Sequence, residues 1–282
     1  MHAITPDAGR PGADAGAGVL RLPQQQAVAG SRPVVVEVFG PAGAGKTTFA
    51  AALHRFLQSS GRHSEFVSSA RPAERAAPAA GLQRGMRDAL LAPLSRAVKV
   101  FGAVAALGAD DPVGAQLLAL FPSRSRISHL RHRRYLARLQ RACSAERPPG
   151  SVLILDQGYL SALCSLAARG GLAQASDPAP LLARALDLLP PADLVVWVQT
   201  PEAVVSERLG RRLTGQSRAE RLFELDLATL TDQARLAASV RGLLRTRARQ
   251  MVQVRGCAPP GEQGDVLAAA DAVAALAVEP PS

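Results

Sequence analysis

Val34-Val35-Val36-Glu37-Val38-Phe39-Gly40-Pro41-Ala42-Gly43-Ala44-Gly45-Lys46-Thr47-Thr48 is the stretch whose reading decides the fold. Its first six residues form a short β-branched run and read as a strand. Gly40 to Thr47 then satisfies the pattern G-x-x-x-x-G-K-[ST], and residues 47–58 read as a helix. The chemistry asks for this layout. Glycines let successive backbone N–H groups turn inward around phosphate oxygens, and the helix presents its N-terminus to the same anion. A Gly/Ala-rich chain can match the pattern by chance, so the strand before it and the helix after it are what give it weight. The lysine adds more, because the chain has only Lys46 and Lys99. Gly40, Pro41, Ala42, Gly43, Ala44, Gly45, Lys46, Thr47 and Thr48 are therefore expected to bind ATP. Lys46 is expected to reach the β and γ phosphates as a catalytic charge, and the Thr47 hydroxyl to ligate Mg²⁺.

Working outward, Ser64–Ser68 is a candidate second strand. Ser151–Asp156 is a buried strand ending in an acid, Asp193–Gln199 another, and Met251–Arg255 a last one. Helical text runs over residues 83–145, broken near 108–112 and at Pro122, again over 220–249, and as an Ala-rich closing helix over 265–278. Apolar strands alternating with helices predict a parallel sheet covered on both faces. Residues 1–31 are rich in Gly, Ala, Pro and Gln without periodicity, and are expected to be a disordered tail ahead of a domain over 32–282. At roughly 100–200 residues per domain, 282 residues allow one large domain or two small ones.

Composition excludes several function classes. No stretch approaches the roughly 20 apolar residues of a membrane-spanning helix, so no membrane partner is expected. The N-terminus lacks an apolar core of the secretory kind. Cys143, Cys164 and Cys257 lie far apart, which argues against a disulfide framework or a zinc site and suits a cytoplasmic location. The net charge of +10 is almost all arginine. Arginine is the better fork for phosphate, but a GC-rich genome would raise Arg, Ala, Gly and Pro together, and both readings stand.

A second element should accompany a phosphate loop: an acid at the tip of a neighbouring strand, near the magnesium. Asp156, closing Val152-Leu153-Ile154-Leu155, fills that place as metal ligand or catalytic carboxylate. Gly158 would let the backbone turn sharply into the site. A third element is a basic lid over residues 207–221. Thr200-Pro201-Glu202 opens a helix with a Thr cap, a Pro in the first turn and an acid near the positive end of the dipole. Arg208, Arg211 and Arg212 lie on or near one face of it, residues 213–219 break it, and Arg218 and Arg221 lie beyond. Arginines closing over a migrating phosphoryl group stabilise its charge, so Arg211 and Arg212 are candidate catalytic groups and Arg208 and Arg218 lid groups. A solvated basic helix end is the plain alternative.

These segments carry a resemblance. GPAGAGKTT (40–48), LILDQGYLS (153–161), WVQTPEAVVSERLGRR (197–212) and SRAERLFE (217–224) resemble the P-loop nucleoside and nucleotide kinases, nearest to the thymidylate kinase and deoxynucleoside kinase group. Those kinases have an Asp-Arg or Glu-Arg pair after the third strand; here Gln157 stands at the arginine's place. The resemblance implies an α/β fold: a three-layer parallel sheet of the P-loop nucleoside triphosphate hydrolase type, with a helical insert and a short lid. It implies ATP and Mg²⁺ as cofactors, and transfer of the γ-phosphate to a nucleoside, a nucleotide or a similar hydroxyl compound.

In such kinases, helices inserted between the second and third strands form the acceptor pocket. The corresponding stretch here, residues 70–150, far exceeds the roughly 10–12 residues a simple crossover needs. It carries Arg124, Arg126, Arg131, Arg133, Arg134, Arg138 and Arg141 with His129 and His132. A phosphorylated acceptor, an acidic partner or a solvated helix face would each account for these charges. Nucleic acid is not expected as a partner, because the aromatic interleaving of single-strand binders is absent. A small-molecule phosphoryl acceptor is the expected partner, and a homodimer stays open. The rival reading is a P-loop ATPase or regulatory nucleotide-binding protein without a small acceptor; a kinase for an unrelated metabolite or antibiotic differs only in the pocket.

Overall fold

The computed structural model describes residues 32–68, 111–122, 125–214, 227–247, 250–256 and 264–278. The expected N-terminal tail, most of the insert before residue 111, and the lid positions from 215 to 221 lie outside the described residues.

Five strands, β1 (Val34–Phe39), β2 (Ser64–Val67), β3 (Val152–Leu155), β4 (Leu194–Gln199) and β5 (Met251–Arg255), form one sheet in the order β2-β3-β1-β4-β5. Every pairing is parallel, with Glu37 level with Leu155 on one side and Val195 on the other. Parallel strands need crossovers, and the helices that make them cover both faces. The expected α/β fold with a three-layer parallel sheet is what the chain adopts. No helix among the described residues is long and apolar enough to cross a membrane.

The strands' period of two sorts their side chains into two cores. Val34, Val36, Val38, Val152, Ile154, Val196 and Val198 face α1 (Lys46–Ser59) and the closing α8 (Gly264–Val278), where Leu53 is fully buried. Truncating such a leucine to Ala costs about 2–5 kcal/mol. Val35, Phe39, Leu153, Leu155, Val195 and Trp197 face the thicker helical layer. That layer holds α2 (Pro112–Leu120), α3 (Arg126–Ser144), α4 (Tyr159–Arg169), α5 (Ala179–Leu188) and α7 (Leu227–Thr246). With few aromatics available, Phe39 and Trp197 meet edge-on at 5.3 Å between ring centres.

Polar side chains fix the edges. Asp193 accepts the Val35 amide at 2.7 Å and pairs with Arg32, which sets β1 against the start of β4. Arg147 pairs with Glu65 at 2.8 Å, tying the segment before β3 to β2. Asp111 caps α2 by accepting the Gly114 amide at 2.7 Å, with Pro112 in the first turn.

Candidate phosphate-binding and cation site

The residues from Gly40 to Gly45 join the end of β1 to the first turn of α1, where Lys46, Thr47 and Thr48 lie. The close approach of β5 shapes the loop. Gly45 sits in the left-handed region at φ 91°, and a Cβ there would come within 2.9 Å of the Gly256 carbonyl oxygen. On the other side of the contact, a Cβ on Gly256 would lie 1.9 Å from the Ala44 carbonyl oxygen. Backbone packs on backbone here, so only glycines fit. Thr200 adds a third strut: its hydroxyl donates to the Ala44 carbonyl at 2.8 Å. The sequence expects the Thr200 oxygen as an acceptor at the start of the helix after β4; its hydroxyl proton goes to the loop, because β4 ends beside it.

Lys46 folds back over the loop. Its Nζ donates to the Gly40 carbonyl at 2.8 Å and to the Pro41 carbonyl at 2.7 Å, which holds the ammonium across the concave side. Thr47, one residue into the helix, donates its hydroxyl to Asp156 Oδ2 at 2.9 Å. Sequence positions 109 apart thus meet at the carboxyl ends of β1 and β3, where open α/β sheets bind ligands. Asp156 is fully buried, directly after β3, with its amide bonded to the Val67 carbonyl at 3.2 Å.

The donor set suits a magnesium ion: a carboxylate oxygen and a hydroxyl whose lone pairs stay available while its proton is held by the carboxylate. The loop suits phosphate by the same test of shape, since its glycines leave no side chain between the backbone amides and the concavity. Thr47 and Asp156 are the residues that could hold the metal, and Gly40 to Thr48 the residues that could hold the phosphates.

The arginines divide. Arg208, on α6 (Glu202–Thr214), reaches the loop: its Nη1 lies 3.3 Å from the Gly43 carbonyl and 3.4 Å from that of Gly256. Arg211 does not. It is exposed and paired with Glu207 one turn back at 2.5 Å. Residues three and four apart share a helix face, so Arg211 stays on Arg208's side of α6 with its guanidinium drawn back to the Glu207 carboxylate; the other position on that side is four residues from Arg208. Arg212 has that spacing, and its backbone belongs to α6, but its side chain lies outside the described residues, as do Arg218 and Arg221. The helix also runs on through Thr214, past the expected break at residue 213.

Within the insert, α3 meets the turn after Asp156. The Tyr135 hydroxyl donates to the Gln157 carbonyl. Arg138 donates from Nη2 to the Ser68 carbonyl at 2.9 Å, at the end of β2. Arg133 and Arg134 are on the exposed face of α3, while Arg141 bonds to the Ala137 carbonyl of its own helix at 3.2 Å. His132 is turned inward between the Ser128 carbonyl at 2.9 Å and the Ser165 hydroxyl at 3.3 Å, and burial lowers its pKa. Arg124 lies outside the described residues.

Two features escaped the sequence reading. Glu37 is buried in the middle of β1, where its Oε1 accepts the Leu160 amide at 2.7 Å. Burial pushes its carboxyl up to about 8, against the pull of backbone donors at Leu160, Ser161 and Tyr159. The only signal was one acid in a run of valines. Gly158 was expected to allow a sharp turn, but its φ is −90°, open to any residue. Glycine is needed there because a Cβ would lie 2.4 Å from the Glu37 Cδ.

Comparison with protein-family models finds no match, and comparison with curated proteins finds none. Among solved structures, the chain is similar to a deoxyadenosine kinase from M.mycoides with bound dATP, at 12% identity and a TM-score of 0.44, over 84% of this chain and 97% of that one.

Proposed function

We propose that the protein is an ATP- and Mg²⁺-dependent phosphotransferase acting on a small hydroxyl acceptor of the nucleoside or nucleotide class. The observation that carries the reading is the meeting of Lys46, Thr47 and Asp156 at the mouth of the glycine loop, with Thr47 and Asp156 2.9 Å apart. Lys46 would exchange the Gly40 and Pro41 carbonyls for β and γ phosphate oxygens, keeping its charge where negative charge spreads in the transition state. Bound magnesium would supply charge neutralisation between the phosphates. Thr47 would offer its hydroxyl oxygen, and Asp156 would hold that hydroxyl and the ion's shell in orientation.

Arg208 would swing from the Gly43 and Gly256 carbonyls onto the nucleotide. Arg211 would join it by leaving Glu207, and Arg212 is the neighbouring position four residues from Arg208 on α6. The acceptor would enter between the end of β2 and α3, where Arg138 and Tyr135 border the turn carrying Asp156. A cytoplasmic location and a homodimer belong to the same reading. The test is ADP formation with ATP and Mg²⁺ against a set of deoxynucleosides, nucleoside monophosphates and hydroxyl compounds outside that class. Stimulation by one acceptor supports the reading; slow ADP release that no acceptor changes would place the chain among P-loop ATPases instead.

A further inference from the structure

We propose that Glu37 is a positioning residue of this site: its side chain, accepting the Leu160 amide and pressed against Gly158, sets how the turn after β3 presents Asp156 to Thr47. The inference rests on the reading of Asp156 as the carboxylate on the cation side.

Three observations converge on it. Asp156, Gln157 and Gly158 form the whole link between β3 and α4, so whatever fixes the first turn of α4 fixes Asp156. Glu37 grips that turn from β1, by the 2.7 Å bond to the Leu160 amide and by contact with Gly158 so close that no Cβ would fit. Tyr135 grips it from α3 through the Gln157 carbonyl, and Tyr159 at the start of α4 is anchored to Gln140 of α3 at 3.0 Å. The turn is held between two layers, and its acidic clasp comes from the strand that also leads into the glycine loop. Movement of β1 with the loop is thereby coupled to Asp156. Carboxylates that bind a cation are tuned by such partners one step removed.

Burial pushes up the thiols of Cys164 on α4 and Cys143 on α3, the latter to about 11, and likewise the Tyr159 phenol. Arg247, which shares a small cavity with Glu37, is bound to Asp187 at 2.9 Å and to the Ala183 carbonyl at 2.9 Å. A neutral acceptor suffices for the clasp, which makes glutamine the conservative replacement.

The experiment compares wild type, Glu37→Gln and Glu37→Leu in the full chain by titration with ATP, in Mg²⁺ and in EDTA. Backbone amide exchange of Leu160 is followed in parallel. Glu37→Leu should keep its affinity for ATP in EDTA, lose about tenfold or more of the tightening that Mg²⁺ gives, and speed Leu160 exchange. Glu37→Gln should restore both to within about threefold of wild type, since its amide oxygen still accepts. If Glu37→Leu fails to fold, the wild type and Glu37→Gln still decide: the Leu160 amide should be strongly protected from exchange in both and its resonance should move on the change of acceptor, and a Leu160 amide that exchanges freely in the wild type overturns the clasp. Unchanged Mg²⁺ tightening in folded Glu37→Leu overturns the positioning role while leaving the proposed function in place. Failure of the wild type to bind ATP at all would remove the functional reading, and the exchange result would still report on the clasp.

Discussion

Asp156 and Glu37 are two acids on adjacent strands, both buried, and they are held in opposite ways. Asp156 lies at the open carboxyl end of β3 and its partner is a side-chain hydroxyl on another element, Thr47. Glu37 lies in the middle of β1 and its partner is a backbone amide of α4. Burial costs a charged carboxyl dearly unless something shares the charge. At Asp156 the Lys46 ammonium, a metal ion and phosphates can all enter that balance. At Glu37 burial dominates and pushes the carboxyl up to about 8. Two buried acids thus differ in setting: one sits at the open end of the sheet beside the glycine loop, the other against the turn that carries the first.

The variant expected to disturb this contrast most is Lys46→Met. It removes the ammonium held on the Gly40 and Pro41 carbonyls and leaves the Glu37 clasp untouched, so turnover should fall by about 10²-fold or more with little change in melting temperature. Steady-state ADP production beside thermal melting checks both halves. Next is Asp156→Asn, which should lower turnover by about 10- to 100-fold while ATP titration shows most of the affinity retained, because the loop still holds the phosphates. Unchanged turnover would reduce Asp156 to a turn residue like its neighbours.

A smaller effect separates the arginines. Arg208→Ala, at the loop, should lower kcat by a few-fold to about tenfold, whereas Arg211→Ala should change little on its own. The pair Arg211→Ala and Arg212→Ala tests whether α6 closes; wild-type kcat in that double variant would make the cluster a solvated surface.

The smallest effect concerns Glu37 and pH. Its folded pKa of about 8 stands above the ordinary value of 4.5, so the folded state holds a proton that the unfolded chain releases between those values. The stabilisation is fully present below pH 4.5 and is lost as pH rises to about 8. Glu37→Gln cannot ionise and should flatten that slope in melting temperature across pH 5 to 8. Parallel melting curves for the two proteins across that range would contradict it.

The β1, loop and α1 unit was legible because glycine spacing, a preceding β-branched run and a rare lysine all point one way. Asp156 was legible because four apolar residues followed by an acid mark a buried strand's end. The helix α5, Ala179–Leu188, was not read at all: Pro178 before it and Pro190-Pro191 after it give its surroundings the composition of a loop. Glu37 was hidden by its neighbours, since a single acid among valines does not alter a strand's pattern, and only its distance to Leu160 reveals its work. Gly158 was noticed for the wrong reason, because close approach of a side chain from another strand leaves no trace in local sequence. Arg211 looks equal to Arg208 in the sequence, and what separates them is the Glu207 carboxylate one turn back, which pairs with Arg211.

The most direct test of the central claim is ADP formation by wild type and Lys46→Met, with ATP, Mg²⁺ and each member of the acceptor set. The account predicts acceptor-stimulated ADP release by the wild type, lost by about 10²-fold or more in Lys46→Met. Turnover that persists in Lys46→Met, or that no acceptor stimulates in the wild type, would contradict it.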